Sequence, residues 1–434
     1  MSQIRIIAFR NLVSHKGRTL VLGGAIAAVT TMVVVMLALT SGIRTRMIEN
    51  ATALSTGHVN VAGFLKISQT SAAPIVTKAA EVKALIRKTV PEATLIVDRV
   101  RAFGKLISDE ASIMVPMSGV DMIAEEPLLG GLPAADGKIM DLAKPGRIVI
   151  FESHAKKLKV KVGDTVTISM PTYRNVYNTK DVQVAAILRN LGMISSYTIF
   201  INAADAREIY DMAGDSTGVF QIYLPDIAQA PEVENRLRKA FDEAKFRIMD
   251  KDSNPFWMKF ERVAGESWSG QKIDITDWQD ETSFLKWIID IFRVLTVALT
   301  LTLMFIVTVG LVNNMWMAIR ERTSEIGTMR AVGLQRRGVL WMFFMESSML
   351  AVMAVGAGIL FGCLIVGLVN LIDIQVTSEA FVMFLMSNSL WLNVRMVDLA
   401  IVFVGLSVLL VIGGFIPAYR ASKMKPITAI NHVN

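Results

Sequence analysis

Two carboxylates four residues apart, Glu321 and Glu325, stand in a run dense in arginine: Arg320, Arg322, Arg330, Arg336 and Arg337. On a helix this spacing puts both acids on one charged face, with Arg322 three residues before Glu325, while Ile326 and Met329 offer apolar contacts and Gly333 supplies a turn. Such a face either docks against another surface or is a solvated turn with no partner; it is not a positioned acid and base. The remaining reactive residue types are scattered. The single Cys363 lies in an apolar run, and His15, His58, His154 and His432 show no metal-ligand spacing, so neither a disulfide framework nor a metal centre is expected. Glu125 and Glu126 are adjacent and point apart, and no Gly-x-Ser-x-Gly elbow presents a nucleophile. The nearest approach to a phosphate-binding loop, Gly265 to Lys272, carries Gln271 where that motif requires lysine. No catalytic residue and no metal ligand is therefore assigned, and ATP-driven work would need a separate subunit.

The elements that position the charged run are membrane spans. A chain of 434 residues that is 53% hydrophobic and only 19% charged is too apolar for a soluble globular protein. Leu20 to Leu39 holds no charged residue, enough to cross roughly 30 Å of hydrocarbon as a helix. A cleavable signal peptide competes with this reading, but its apolar core would be shorter and the residues around Thr40 to Gly42 make a poor cleavage site. The segments are read as an N-terminal arm 1–19, spans at 20–42, 285–312, 339–372 and 397–418, a large domain 43–284, a charged segment 313–338, a loop 373–396 and a tail 419–434. Lys and Arg beside spans stay cytoplasmic. Arg5, Arg10, Lys16 and Arg18 in the arm, the arginines of the charged segment, and Arg420, Lys423 and Lys425 in the tail place both termini inside and residues 43–284 outside. The net charge of +7 is explained by that topology, without nucleic acid. Glu346, near the start of the third span, is costly facing lipid, so it either pairs with the charged segment or snorkels to the surface. Gly358 and Gly362 form a GxxxG that either admits another helix or faces lipid.

The segment 43–284 alternates β-type and helical patterns, the mark of a mixed α+β domain. Strands are expected near His58–Val61, Ala93–Val97, Ile113–Pro116, Arg147–Ile150, Thr165–Met170, Val182–Leu188 and Thr198–Ile201. Helices are expected at Thr77–Lys88, Ser153–Leu158, Ala204–Met212 and Pro231–Ala244. Between Met170 and Val182 lies a polar tip, Pro171 to Asp181, which is either a solvated hairpin end or a partner-binding tip carrying Pro171, Tyr173, Arg174 and Tyr177. The stretch Arg262–Ser283, with Trp268 and Trp278, reads as a connector to an interfacial anchor at Trp287.

The run Glu321-Arg322-x-x-Glu325-Ile326-Gly327-x-x-Arg330-Ala331-x-Gly333 resembles the coupling segment of ABC transporter permeases of the MacB, FtsX and LolC/LolE superfamily. Gly57–Val61, Ala155–Ile168, the FMES run ending at Ser347, and Ile416–Ile430 are also similar to family patterns, so the resemblance covers essentially the whole chain. It implies a bacterial inner-membrane protein with four transmembrane helices per protomer and the large domain between helices 1 and 2. It also implies a homo- or heterodimer working with two cytoplasmic ATPase subunits, which bind the ATP and Mg; this chain itself is expected to hold no cofactor and, unlike MacB, no fused ATPase domain. Three branches follow: lipoprotein release toward a periplasmic carrier, MacB-like export, and FtsX-like control of cell-wall hydrolases. Lipoprotein handling is the favoured expectation, because in LolC-like permeases a loop from the external domain recruits the carrier and the Pro171–Asp181 tip occupies the corresponding place. A membrane-anchored sensor or scaffold without ATPase is the rival from a different class.

Overall fold

The computed structural model describes residues 10, 14, 16–66, 72–212, 214–376, 378, 381–382 and 389–423. The chain divides into two compact units, one of residues 1–45, 289–375 and 389–434, the other of 46–288 and 376–388. Lys425 and the end of the Ile416–Ile430 run lie outside the described residues.

The first unit is helical. Its elements are most of α1 (Lys16–Leu54) and α2 (Ser283–Glu321), together with α3 (Thr323–Ala331), α4 (Arg336–Ile372) and α5 (Met396–Ser422); the end of α1 from Arg46 and the start of α2 up to Ile288 belong to the second unit. α1, α2, α4 and α5 are long and apolar enough to cross a membrane. The helices outrun the apolar segments: α1 continues from 42 to Leu54, and α2 begins at Ser283 and runs past 312 to Glu321. An apolar run measures what can sit in hydrocarbon, and at 1.5 Å per residue a 39-residue helix is about twice as long as the hydrocarbon is thick. The unit's core joins Ile26 of α1, Leu311 and Met315 of α2, Ile326 of α3, Phe343 and Ala351 of α4, and Leu406 and Leu410 of α5.

The second unit is α+β. Its strands are β1 (Val59–Lys66), β2 (Ala72–Ala73), β3 (Val76–Thr77), β4 (Leu95–Ile107), β5 (Ser112–Val120), β6 (Ala134–Gly137), β7 (Arg147–Phe151), β8 (Thr165–Pro171), β9 (Tyr177–Leu188), β10 (Ile199–Asn202), β11 (Ser216–Thr217), β12 (Val219–Tyr223) and β13 (Gly270–Asp277). Eleven of them form one mixed sheet in the order β13-β1-β12-β4-β5-β10-β7-β9-β6, with β2 on β1 and β8 bridging β4 and β9. The long β4 serves two halves. Its first residues pair with β12 beside a core of Val59, Val61, Phe220, Ile222 and Ile275 covered by helices Ala79–Thr89 and Ala230–Glu243. Its later residues pair with β5 and β8 over Val115, Ile148, Ile168, Val184 and Ile201, covered by helices Glu152–Leu158 and Ala203–Ile209.

All seven expected strand regions overlap observed strands, and the four helices appear within a few residues of their expected limits. The connector at Arg262–Ser283 needs correction. Gly270–Asp277 is a strand, β13, paired with β1 from Val59↔Asp277 to Lys66↔Gly270. Its polar residues concealed it, because they are buried through partners rather than through apolarity: Asp274 is fully enclosed and takes a 2.8 Å ion pair from Lys259. Trp278 accordingly packs on the core beside β12, and Trp268 on a smaller cluster of Phe64, Met249 and Val263.

Candidate functional site

The charged segment is built from the end of α2, the helix α3 and a turn into α4. Arg322 breaks the helix at φ −103°, Thr323 Oγ1 donates to the Ile319 carbonyl (2.9 Å), and Ile326 N–H donates to the Arg322 carbonyl (3.0 Å), so α3 starts on the last turn of α2. At its far end Gly333 adopts φ +108°, a conformation open to glycine at little cost, and Leu334 N–H closes the turn on the Met329 carbonyl at 3.0 Å. Asn313–Glu321 is thus helix rather than loop.

The break sorts the side chains by face. Arg320, Glu321, Ser324, Glu325, Thr328, Ala331 and Val332 are exposed, whereas Arg322, Thr323, Ile326 and Gly327 are buried and Met329 and Arg330 are half-buried. Arg322 therefore leaves the expected charged face: it points inward, and Nη1 lies 3.5 Å from Glu346 Oε2 of α4, both side chains nearly enclosed. The helix break turns Arg322 away from Glu325, and Glu346, confined near the start of an apolar helix, supplies the compensating charge. Of the two fates open to Glu346, the structure shows the pair. Beside the exposed face, Thr328, Met329, Val332, Gly333, Leu334, Gly338 and Met342 line an apolar hollow of about 540 Å³. The C-terminal end of α5 packs into the same core through Ala418 and Ala421, and Arg420 stacks over the Trp316 ring at 5.5 Å. Sequence reasoning missed these α5 contacts, which nothing in the local pattern announces.

The GxxxG faces α1. A Cβ at Gly358 would fall 2.5 Å from Thr30 Cβ and 2.6 Å from the Ala27 carbonyl, and one at Gly362 would fall 2.8 Å from Val34. Thr31 Oγ1 donates to the Gly358 carbonyl at 2.9 Å. The two glycines therefore admit a neighbouring backbone rather than face lipid.

The Pro171–Asp181 tip is mostly strand. The β8–β9 ladder runs to Pro171↔Tyr177, and the turn closes by Thr172 N–H to the Val176 carbonyl (2.7 Å) with Asn175 at φ +65°. Tyr173 is half-buried against the domain core, and its N–H donates to the Tyr210 carbonyl at 3.2 Å. Arg174 lies over that ring at 5.1 Å, with Nε donating to the Tyr173 hydroxyl. Tyr173 thus fastens the tip to its own domain with Arg174 covering its ring, while Val176 and Tyr177 are the exposed apolar residues. Nothing in the sequence distinguishes the two tyrosines.

The MacB-like periplasmic core domain family matches residues 19–240, just over half of the chain, and the FtsX-like permease C-terminal family matches residues 297–426. The chain belongs to the MacB/FtsX superfamily of ABC transporter permeases. It is 32% identical over 122 residues to a pyoverdine export ATP-binding/permease protein of Pseudomonas fluorescens, covering 28% of this chain and 16% of that one. A macrolide export ATP-binding/permease protein of Bordetella avium is 23% identical over 432 residues, 96% of this chain and 58% of that one. The chain therefore spans less than two thirds of these relatives. Among solved structures, the periplasmic region of MacB from Actinobacillus actinomycetemcomitans is similar at 13% identity and a TM-score of 0.32, covering 55% of this chain and 96% of that one.

Proposed function

We propose that the chain is the transmission subunit of an ABC transporter in a bacterial inner membrane. Two copies of a cytoplasmic ATPase, carrying the ATP and Mg, dock on the α3 face, and their closure moves the membrane helices of this protomer and of a second permease protomer. Both termini lie in the cytoplasm and the β-rich unit outside. The observation that carries this reading is the buried Arg322–Glu346 pair, which binds the docking helix to a membrane helix so that a push on one is felt by the other. The exposed carboxylates Glu321 and Glu325 and the adjacent apolar hollow supply the surface. Reversing both charges, Glu321→Lys with Glu325→Lys, removes attraction to a basic partner while leaving the buried pair intact. The ATPase is expected to copurify with the unaltered chain and to lose most of its transport coupling with the variant; unchanged docking and turnover would reject the assignment. A sensor or scaffold would bring down no ATPase at all.

For the cargo, we propose lipoprotein release toward a periplasmic carrier, with Val176 and Tyr177 at the β8–β9 tip as the carrier contact. Two exposed apolar residues on a turn braced by Tyr173 make a rigid, low-entropy anchor of the kind that dominates interfaces. Deleting Thr172–Lys180 is expected to abolish carrier binding and lipoprotein release but to spare ATPase assembly; normal release by this variant would sink it. MacB-like export is the second reading, supported by the relatives named as macrolide and pyoverdine exporters. An ATPase stimulated by a soluble periplasmic compound and indifferent to lipoproteins would favour it. FtsX-like control of a cell-wall hydrolase would show instead as hydrolase activation without transport.

A further inference from the structure

Three strands of the β-rich unit alternate apolar and polar residues: Val59-Asn60-Val61 in β1, Phe220-Gln221-Ile222-Tyr223 in β12, and Ile273-Asp274-Ile275-Thr276 in β13. In an antiparallel sheet such alternation ordinarily means one face in the core and one in water. Here both faces are buried: Asn60, Gln221, Asp274 and Thr276 are all within 1% of full enclosure. The registers Asn60↔Gln221, Asn60↔Thr276 and Val219↔Arg99 put these residues, with Arg99 and Arg101 of β4, on one face of the sheet.

That face holds the ends of α1 and α2. Four consecutive carbonyls at the C-terminal end of α1, groups a helix leaves without internal partners, are each taken by a side chain from the sheet. Tyr223 donates its hydroxyl to Thr52 O (2.9 Å), Arg99 donates Nη2 to Ala53 O (2.9 Å) and Nη1 to Leu54 O (3.2 Å), and Gln221 donates Nε2 to Ser55 O (3.0 Å). The Arg99 guanidinium is itself held by Glu125, Nε to Oε2 at 2.7 Å. Two residues on, Arg101 lies 3.7 Å from the carboxylate of Glu281, in the turn that leads into α2, and stacks over Phe256 at 4.1 Å. Glu281 also accepts from Thr276 Oγ1 at 3.0 Å. The two roots leave from neighbouring strands, since β1 and β13 pair at Val59↔Asp277 and Trp278 N–H donates to the His58 carbonyl at 3.0 Å.

We propose that Arg99 and Arg101 are positioning residues for transmission, joining the roots of α1 and α2 to a single strand so that the two roots and the sheet move together. β4 is the strand shared by the two halves of the sheet, so a displacement of either root reaches both halves through it. The inference rests on the transmission reading above. It assigns the step at which helix movement becomes movement of the β-rich unit.

The test uses the full chain with its ATPase in lipid nanodiscs, with Cys363→Ser and spin labels at Val176 and Leu371, both exposed. Distances are compared without nucleotide and with ATP and vanadate. Two variants are used: Arg99→Lys, which keeps the charge on Glu125 but loses the planar fork that spans two carbonyls, and Arg101→Met with Glu281→Gln, which removes the second contact without stranding a buried charge. Either is expected to shrink the population that shifts with nucleotide by about fivefold or more, the size of a lost coupling, with an unchanged basal ATPase rate and a chain that remains folded at the assay temperature. Variants that shift as fully as the unaltered complex overturn the inference. So does loss of the shift together with loss of fold or ATPase activity, which marks the arginines as merely structural. An unaltered complex whose distances ignore nucleotide overturns the transmission reading itself, and this inference with it.

Discussion

Arg322 and Glu346 are each unfavourable where they stand and acceptable together. A buried charge stripped of its partner costs about 3–5 kcal/mol in protein interiors, more than a well-packed apolar replacement of both members. Glu346→Gln is therefore expected to lower the thermal midpoint of the detergent-solubilised chain and to weaken its response to the ATPase, because Arg322 loses its counter-charge. Replacing both members, Arg322→Met with Glu346→Met, should recover most of the stability but not the response. A single variant as stable as the unaltered chain would show that the pair contributes nothing.

At the scale of elements, the contact between α1 and α4 rests on two absent side chains. Thr30, Ala27 and Val34 of α1 occupy the space that side chains at Gly358 and Gly362 would fill. Even a methyl group at Gly358 would sit 2.6 Å from the rigid Ala27 carbonyl, so the helices would have to separate and Thr31 would lose its bond to the Gly358 carbonyl. Gly358→Leu is expected to cost a few kcal/mol by overpacking. Gly367→Leu, at a position with open space around it, should be tolerated. Comparison of expression and thermal midpoint decides the matter, and equal effects at both glycines would remove the argument for a close α1–α4 approach.

For the molecule as a whole, the buried histidines of the β-rich unit set a pH dependence. His58 accepts the Leu224 N–H on Nδ1 at 3.0 Å, and His154 is enclosed between Phe151 and the Ser196 carbonyl. Burial holds both imidazoles below their ordinary value of 6.5. The unfolded chain then binds more protons as pH falls below about 6.5, so the stability present above that value declines with acidification. Asp274, Asp277 and Asp280, raised from their ordinary value of 3.8 by burial, act in the opposite sense. A His58→Gln/His154→Gln variant should show a flatter midpoint between pH 7.5 and 5.5 than the unaltered chain; parallel curves would exclude the histidines. What could be read without coordinates was whatever is written locally: four apolar runs, the strands and helices with clean periodicity, and the spacing of Glu321, Glu325 and Gly333. Burial of polar groups was illegible, because it is decided by partners distant in sequence. Arg322 needed Glu346, Asp274 needed Lys259, and the alternating strands that suggest a wet face turned out to hold helix ends. Tyr173 and Tyr177 differ only in which side of a hairpin turn each occupies, and that follows from the β8–β9 register. Hydropathy and spacing report the cost of placing a residue in water or lipid; the compensating contact that reverses this cost exists once the chain has folded.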